Sequence, residues 1–295
     1  MENPKRSDGW EKNLKLLSGW ACVAFAARCA QRVLPLYADY EKTFNPRYSN
    51  TRIQQIQNAI AITLEAAETG GASTSLKNEE FSSSIAAIID ARNFIRPKPD
   101  TESASIQFYG HAAAHQAIQV AHAAVEAIKC VFSNSDKYSA HAAAAATFSQ
   151  SASGAGEQAE NRRKVSNTAD KSFLTAAQIG DALMRDAMWQ DYEILFRFFS
   201  KSQPDKNVRV EVAKLGMLWG KAMPHWLGRI QSIQEEDQFE SNSTLEVFLE
   251  PGSASKETIQ RVFEAISKLH IASGGRGLEF RADDEFVFAR ERVGA

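Results

Sequence analysis

Apolar positions recur along most of this chain at helical spacing, and the spacing changes only near the C-terminus. Leu14, Leu17, Ala21, Phe25, Cys29, Arg32 and Leu36 mark a first helix over about Trp10–Tyr40, and Pro35 is expected to kink or end it by removing a backbone hydrogen bond. Ile53, Ile56, Ile60 and Leu64 define a second helix over Thr51–Thr69, stopped by Gly70 and Gly71. A third covers Asn78–Ile95 and ends before Pro97 and Pro99. Ser103–Phe132 and Ser139–Phe148 are alanine-rich, the second with five consecutive alanines. Alanine is the strongest helix former and lets neighbouring helices approach closely, so these segments predict the centre of a bundle.

Ser149–Glu160 lacks periodicity and is rich in Ser, Gly and Gln, which predicts a flexible loop. Helix is expected again over Ala159–Ser200, with a break near Ser166, and over Val208–Gln234, where Pro224 interrupts it. From Thr244 the period becomes that of strands. Thr244–Glu250 alternates, Ser255–His270 is an amphipathic helix, and Leu278–Arg281 and Glu285–Arg290 are short strands. The expected architecture is mainly α, a multi-helix bundle with a small C-terminal β-α-β-β domain. It divides into a bundle at 1–202, an additional long or linker helix at 203–239, and a small α/β docking module at 240–295.

Composition narrows the function classes. The 295 residues are 44% hydrophobic and 24% charged, as in folded domains. Thirty-four basic and 36 acidic residues leave a net charge of -2, so no global field attracts nucleic acid or an anionic membrane. Cys22, Cys29 and Cys130 form no disulfide or zinc pattern and read as packing residues in a reducing compartment. The charged segment Met1–Asn13 is no signal peptide, and Arg28, Gln31 and Arg32 interrupt the apolar run Trp20–Tyr40. A cytoplasmic protein with no membrane contact is therefore expected.

Several residues are candidates for chemistry. His111, His115 and His122 lie near one stripe of a helix and suit a polar seam, a proton switch or a metal site, although the H-A-A-A-H spacing lacks the glutamate of the metalloprotease signature. Arg28, Arg32 and Arg92 lie in apolar helices and require buried partners, for which Glu65, Glu68 and Asp90 are the expected acids. Arg162, Arg163 and Lys164 follow the expected loop and could contact phosphates, but a solvated helix start is the plainer reading. Trp219 and Trp226 suit either packing or a partner surface. The Gly274–Gly277 turn follows a helix and precedes a strand, the reverse of a dinucleotide-binding loop. No serine lies on a G-x-S-x-G elbow, and the paired acids Glu79/Glu80 and Asp283/Asp284 are mere chain neighbours. No catalytic constellation and no cofactor are expected.

The stretch Phe25–Tyr37, FAARCAQRVLPLY, resembles the helical immunity proteins of bacterial polymorphic-toxin and related conflict systems. Its W/F-A-x-x-C-A-x-R-V-L-P-L pattern falls on Phe25, Ala26, Cys29, Ala30, Arg32, Val33, Leu34, Pro35 and Leu36. Alanine-histidine helices follow at His111–Ala124 and Tyr138–Ala146, and a late D/E-x-x-W-Q element falls on Asp186, Trp189 and Gln190, next to Arg185. The resemblance covers about Trp10–Phe199. Longer loops around Pro97 and Gly154, the further helix and the α/β module depart from it. It implies a non-catalytic protein-binding role, as immunity protein or adaptor, with a toxin or defence effector encoded nearby as partner, or a second copy of the chain. The alternatives are a metal-dependent or small-molecule-binding sensor or enzyme on the alanine-histidine helices, and a weak nucleic-acid-binding protein.

Overall fold

A computed structural model describes residues 4–44, 49–72, 79–95, 106–164, 170–201, 209–219, 222–232, 278–282 and 287–291. The chain divides into two units, residues 1–228 and 229–295. The first is a multi-helix bundle of α1 (Trp10–Leu14), α2 (Gly19–Phe44), α3 (Ser49–Thr69), α4 (Glu79–Phe94), α5 (Ile106–Phe132), α6 (Tyr138–Lys164) and α7 (Asp170–Phe199). In the second, β1 (Leu278–Ala282) pairs antiparallel with β2 (Val287–Glu291), with Phe280 opposite Ala289. The expected first strand and helix of that module, Thr244–Glu250 and Ser255–His270, lie outside the described residues, as do Pro97, Pro99 and the Gly274–Gly277 turn.

The first expected helix is two helices. Ser18 separates them, and its hydroxyl accepts from the Ala21 amide at 3.3 Å to cap α2. The linker is stitched to the far end of α7. Ser18 N donates to Phe199 O at 3.0 Å and Lys201 N donates to Leu16 O at 2.9 Å. Pro35 neither ends nor shortens α2, which runs on to Phe44. Proline leaves the Gln31 carbonyl without its helical donor, but Val33, Leu36 and Tyr37 are buried around it and their packing offsets that loss. Residues Ala21–Ala30 are all buried, so this stretch of α2 is enclosed on every side. It packs on α3, α5, α6 and α7.

The alanine-rich helices pair as expected, and α5 against α6 is the most extensive contact in the bundle. Ala113, Ala117, Ala121 and Ala124 of α5 and Ala142, Ala145, Ala146 and Ala152 of α6 are buried. Asn134 ends α5 in a left-handed conformation (φ 52°), where Ser135 N reaches back to Cys130 O at 2.8 Å. Gly70 does the same for α3, with Gly71 N bonded to Ala66 O at 2.9 Å.

Two expectations fail for tertiary reasons. Ser149–Glu160 is the second half of α6. Its small residues are there for contact. A Cβ on Gly180 of α7 would lie 2.5 Å from Ser153 O, and one on Gly156 would lie 2.9 Å from both Leu36 and Trp226 side chains. The helices meet at backbone distance, and that packing offsets the weak helix propensity of Ser and Gly. Of the helix expected over Val208–Gln234 with an interruption at Pro224, only the part after the proline is α-helical among the described residues. Within the described residues the chain forms a 3-10 turn at Val212–Leu215, reverses at Gly216 (φ 70°) and becomes helical again at 225–232, just after Pro224.

Candidate functional site

The turn after Leu215 is held by two arginines of α2. Four residues apart, Arg28 and Arg32 share a face of the helix. Arg28 binds Asp191 of α7 in a fork, Nε to Oδ2 and Nη2 to Oδ1, both at 3.0 Å. Arg32 Nη2 lies 2.6 Å from Asp191 Oδ2. All three side chains are at most 5% exposed. One carboxylate therefore faces two guanidiniums, and backbone carbonyls complete the balance. Arg28 donates to Leu215 O, Gly216 O and Met217 O at 3.0–3.3 Å. Arg32 donates to Leu218 O at 2.6 Å and Ala187 O at 3.2 Å. Carbonyls of 215–218 that a helix would have used internally are taken by guanidinium, which is why this segment is not helical. The expected acids are not the partners, since Glu65, Glu68 and Asp90 are exposed. Local spacing does not connect Asp191 to these arginines, which lie far off in the chain, although an acid in the middle of an apolar helix signals a buried partner.

The residues of the resemblance divide into two faces. Cys29 is buried next to Ser149, and burial pushes its thiol up to about 12, out of range for a nucleophile at neutral pH. Arg32 joins the ion node, and Pro35 lies half-buried in α2. Trp189 is buried against Trp10, with ring centres 5.7 Å apart, and its indole N–H donates to Glu193 at 2.6 Å. Gln190 points to solvent and takes no part in the buried node.

The three histidines of α5 have different hydrogen-bond partners. His111 Nδ1 lies 3.0 Å from Tyr40 Oη, His115 Nε2 accepts from the Gln119 amide at 3.3 Å, and His122 Nε2 accepts from Arg92 of α4 at 3.4 Å. Among the described residues no group of three or more His, Cys, Asp or Glu side chains is placed to hold a metal ion. Burial and nearby positive groups push His115 and His122 below the ordinary imidazole range.

Trp219 and Trp226 are buried and packed edge to face at 6.0 Å, so they are core residues and present no partner surface. Arg162, Arg163 and Lys164 end α6 and do not start a helix. Cations are favoured at that end of the dipole. Arg163 lies 3.6 Å from Glu160 and 3.8 Å from Asp39, drawn to carboxylates of the bundle itself.

Two concave features open on the surface of the bundle. Glu157, Glu160, Asn161, Thr175, Ile179 and His225 line a groove of about 500 Å³. There Glu157 accepts from the His225 amide at 2.5 Å and lies 3.1 Å from its ring Nδ1. The expected loop over Ser149–Glu160 hid this pair. The other is a cleft of about 220 Å³ between the N-terminal strap and α7, lined by Arg6, Asp8, Trp10, Gln150, Arg185 and Trp189.

No family model matches the chain, and no curated protein and no solved structure matches it. The geometry therefore carries the functional argument together with the resemblance of Phe25–Tyr37. Among the described residues, no helix is long and apolar enough to cross a membrane.

Proposed function

We propose that this protein is a non-catalytic, protein-binding component of a bacterial conflict or antiphage defence system, acting as an immunity protein or adaptor in the cytoplasm. One observation carries the reading. Arg32, in the first stretch that resembles the immunity family, bonds Ala187 O and Asp191, which flank the late Trp189-Gln190 element. Two motifs far apart in the chain thus belong to one packed unit, as parts of one domain must. Cys29 and Arg32 are committed to packing and to the ion node, which suits a scaffold that presents a surface. In this reading the C-terminal 240–295 region is a β-α-β-β docking module, and β1 and β2 supply its hairpin.

Co-expression with the products of the neighbouring genes tests the proposal. A stoichiometric complex with one of them, together with relief of that protein's toxicity or a change in its activity, is the expected result. A chain that stays monomeric beside every neighbouring product overturns it.

The Glu157–His225 groove favours a second reading, a sensor for a small molecule. That reading moves the sensing site away from the α5 histidines. It predicts a ligand-induced rise in melting temperature that His225→Ala removes.

A further inference from the structure

The cleft between the N-terminal strap and α7 has the lining of a recognition site, and its walls are built in advance. Asn13, itself buried, donates from Nδ2 to Lys5 O at 3.0 Å and Asp8 O at 3.2 Å, which fixes the strap ahead of α1. Trp10 and Trp189 form an aromatic wall, and both indole N–H groups are already used, by Gln150 at 3.2 Å and Glu193 at 2.6 Å. Trp189 is only 5% exposed and lies beneath Arg6, so what remains on offer is the partly exposed Trp10 ring and guanidinium. Arg6 lies 5.5 Å from the Trp189 ring centre and pairs with Asp186 at 3.0 Å, while Arg185 pairs with Asp181 at 2.9 Å.

Both of these ion pairs are solvent-exposed. Exposed pairs contribute about 0–1 kcal/mol. Either guanidinium can therefore exchange its aspartate for an incoming acid at little cost, and the released aspartate rehydrates where it stands. A carboxylate whose stem packs beside Trp10 while its oxygens face the guanidiniums is less hydrated than one on the open surface, and its charge-assisted bonds to arginine are correspondingly stronger. Asp8, on the rim, is already tied to Lys12 at 3.0 Å. Asp181, Asp186 and Glu193, the partners of Arg185, Arg6 and Trp189, penalise a polyanion such as a nucleic acid more than a single carboxylate. The cleft has room for one side-chain-sized group.

We infer that this cleft binds one carboxylate on a small planar or short apolar stem, its oxygens held by Arg6 and Arg185 and its stem packed beside Trp10. Resting on the protein-binding role proposed above, the carboxylate is an acidic side chain of the partner. The Arg185–Trp189 face of the late element then does recognition work, while Asp191 on the same helix turns inward to hold the fold.

Indole N–H resonances of Trp10 and Trp189 report on the site, with benzoate as the probe and benzamide and inorganic phosphate as comparators. Benzoate is expected to shift both resonances saturably. Arg6→Ala/Arg185→Ala, which removes exposed side chains, is expected to weaken benzoate by about tenfold while the melting temperature stays close to that of the parent. Equal shifts with benzamide, tight binding of phosphate, or no shift at millimolar benzoate would overturn the inference. Arg6→Lys/Arg185→Lys keeps the charge but not the fork, and is expected to fall between the parent and the double alanine variant. A partner that binds the double alanine variant as well as the parent overturns the assignment to the partner's acid and leaves the proposed function standing. Benzoate binding with no partner found overturns the proposed function and leaves the carboxylate site standing.

Discussion

Arg28 and Asp191, 163 residues apart in sequence, meet in a two-pronged ion pair at 3.0 Å in the interior of the bundle. The same guanidinium holds the carbonyls of Leu215, Gly216 and Met217, so one residue joins α2, α7 and the turn that follows the 3-10 segment.

Asp191→Asn leaves two buried arginines facing each other without a counter-charge. Breaking a buried pair from one side costs about 3–5 kcal/mol, and chemical denaturation is expected to show a loss of that order. Arg32→Lys keeps the charge, but one ammonium cannot span Asp191, Ala187 O and Leu218 O together. It is expected to destabilise less than Asp191→Asn and to speed hydrogen exchange at 215–218.

Two glycines of opposite character test the close approach of α6 and α7. A Cβ on Gly180 would meet the Ser153 backbone at 2.5 Å, so Gly180→Ala is expected to destabilise by about 1–3 kcal/mol. A Cβ on Gly110 in α5 meets nothing within 4 Å, and Gly110→Ala is expected to stabilise by about 0.5–1 kcal/mol. Thermal melts of the two variants should move in opposite directions.

Stability should fall on mild acidification. Burial, then His111 and Arg92, hold His115 below its ordinary range of 6.5. Burial, then Arg92, hold His122 down, with Lys129 and His141 acting the same way and Glu126 against. The folded state therefore disfavours the proton. Stability is complete above the unfolded-chain value near 6.5 and is lost as pH falls from there through the lowered folded values. His115→Gln/His122→Gln should flatten the pH dependence of the denaturation midpoint in that window. Burial raises Glu126, but the Lys129 bond and charge together with His122 and His141 outweigh it and hold the carboxyl below its ordinary value, so its contribution is lost in a separate window at and below 4.5.

The thiols should separate by burial. Cys22 and Cys29 are fully enclosed, and burial pushes both to about 12. Cys130 is half-buried. A disulfide reagent at neutral pH is expected to modify Cys130 in the folded protein and the other two only after denaturant is added. Fast modification of all three would show that the core around α2 opens readily.

Periodicity determined α3 and most of α7, because each carries an apolar stripe whose spacing does not depend on what it packs against, and Pro97 and Pro99 bounded α4. Alanine content likewise marked α5 and the start of α6 as the crowded centre. The second half of α6 was illegible because Ser149, Ser153, Gly154 and Gly156 are poor helix formers. They are helical only because α7, Leu36 and Trp226 come close enough to need small residues there. The segment at 215–218 looked like helix, yet its carbonyls are bound by Arg28 and Arg32. Sequence showed that those arginines needed partners, but only the fold brought Asp191 to them. It also turned Trp219 and Trp226 inward and gathered Arg6, Trp10, Arg185 and Trp189 around one cleft. Local spacing fixes which face of a helix is apolar, whereas long-range packing decides which charges meet, and a buried charge accepts only the partner that the fold delivers.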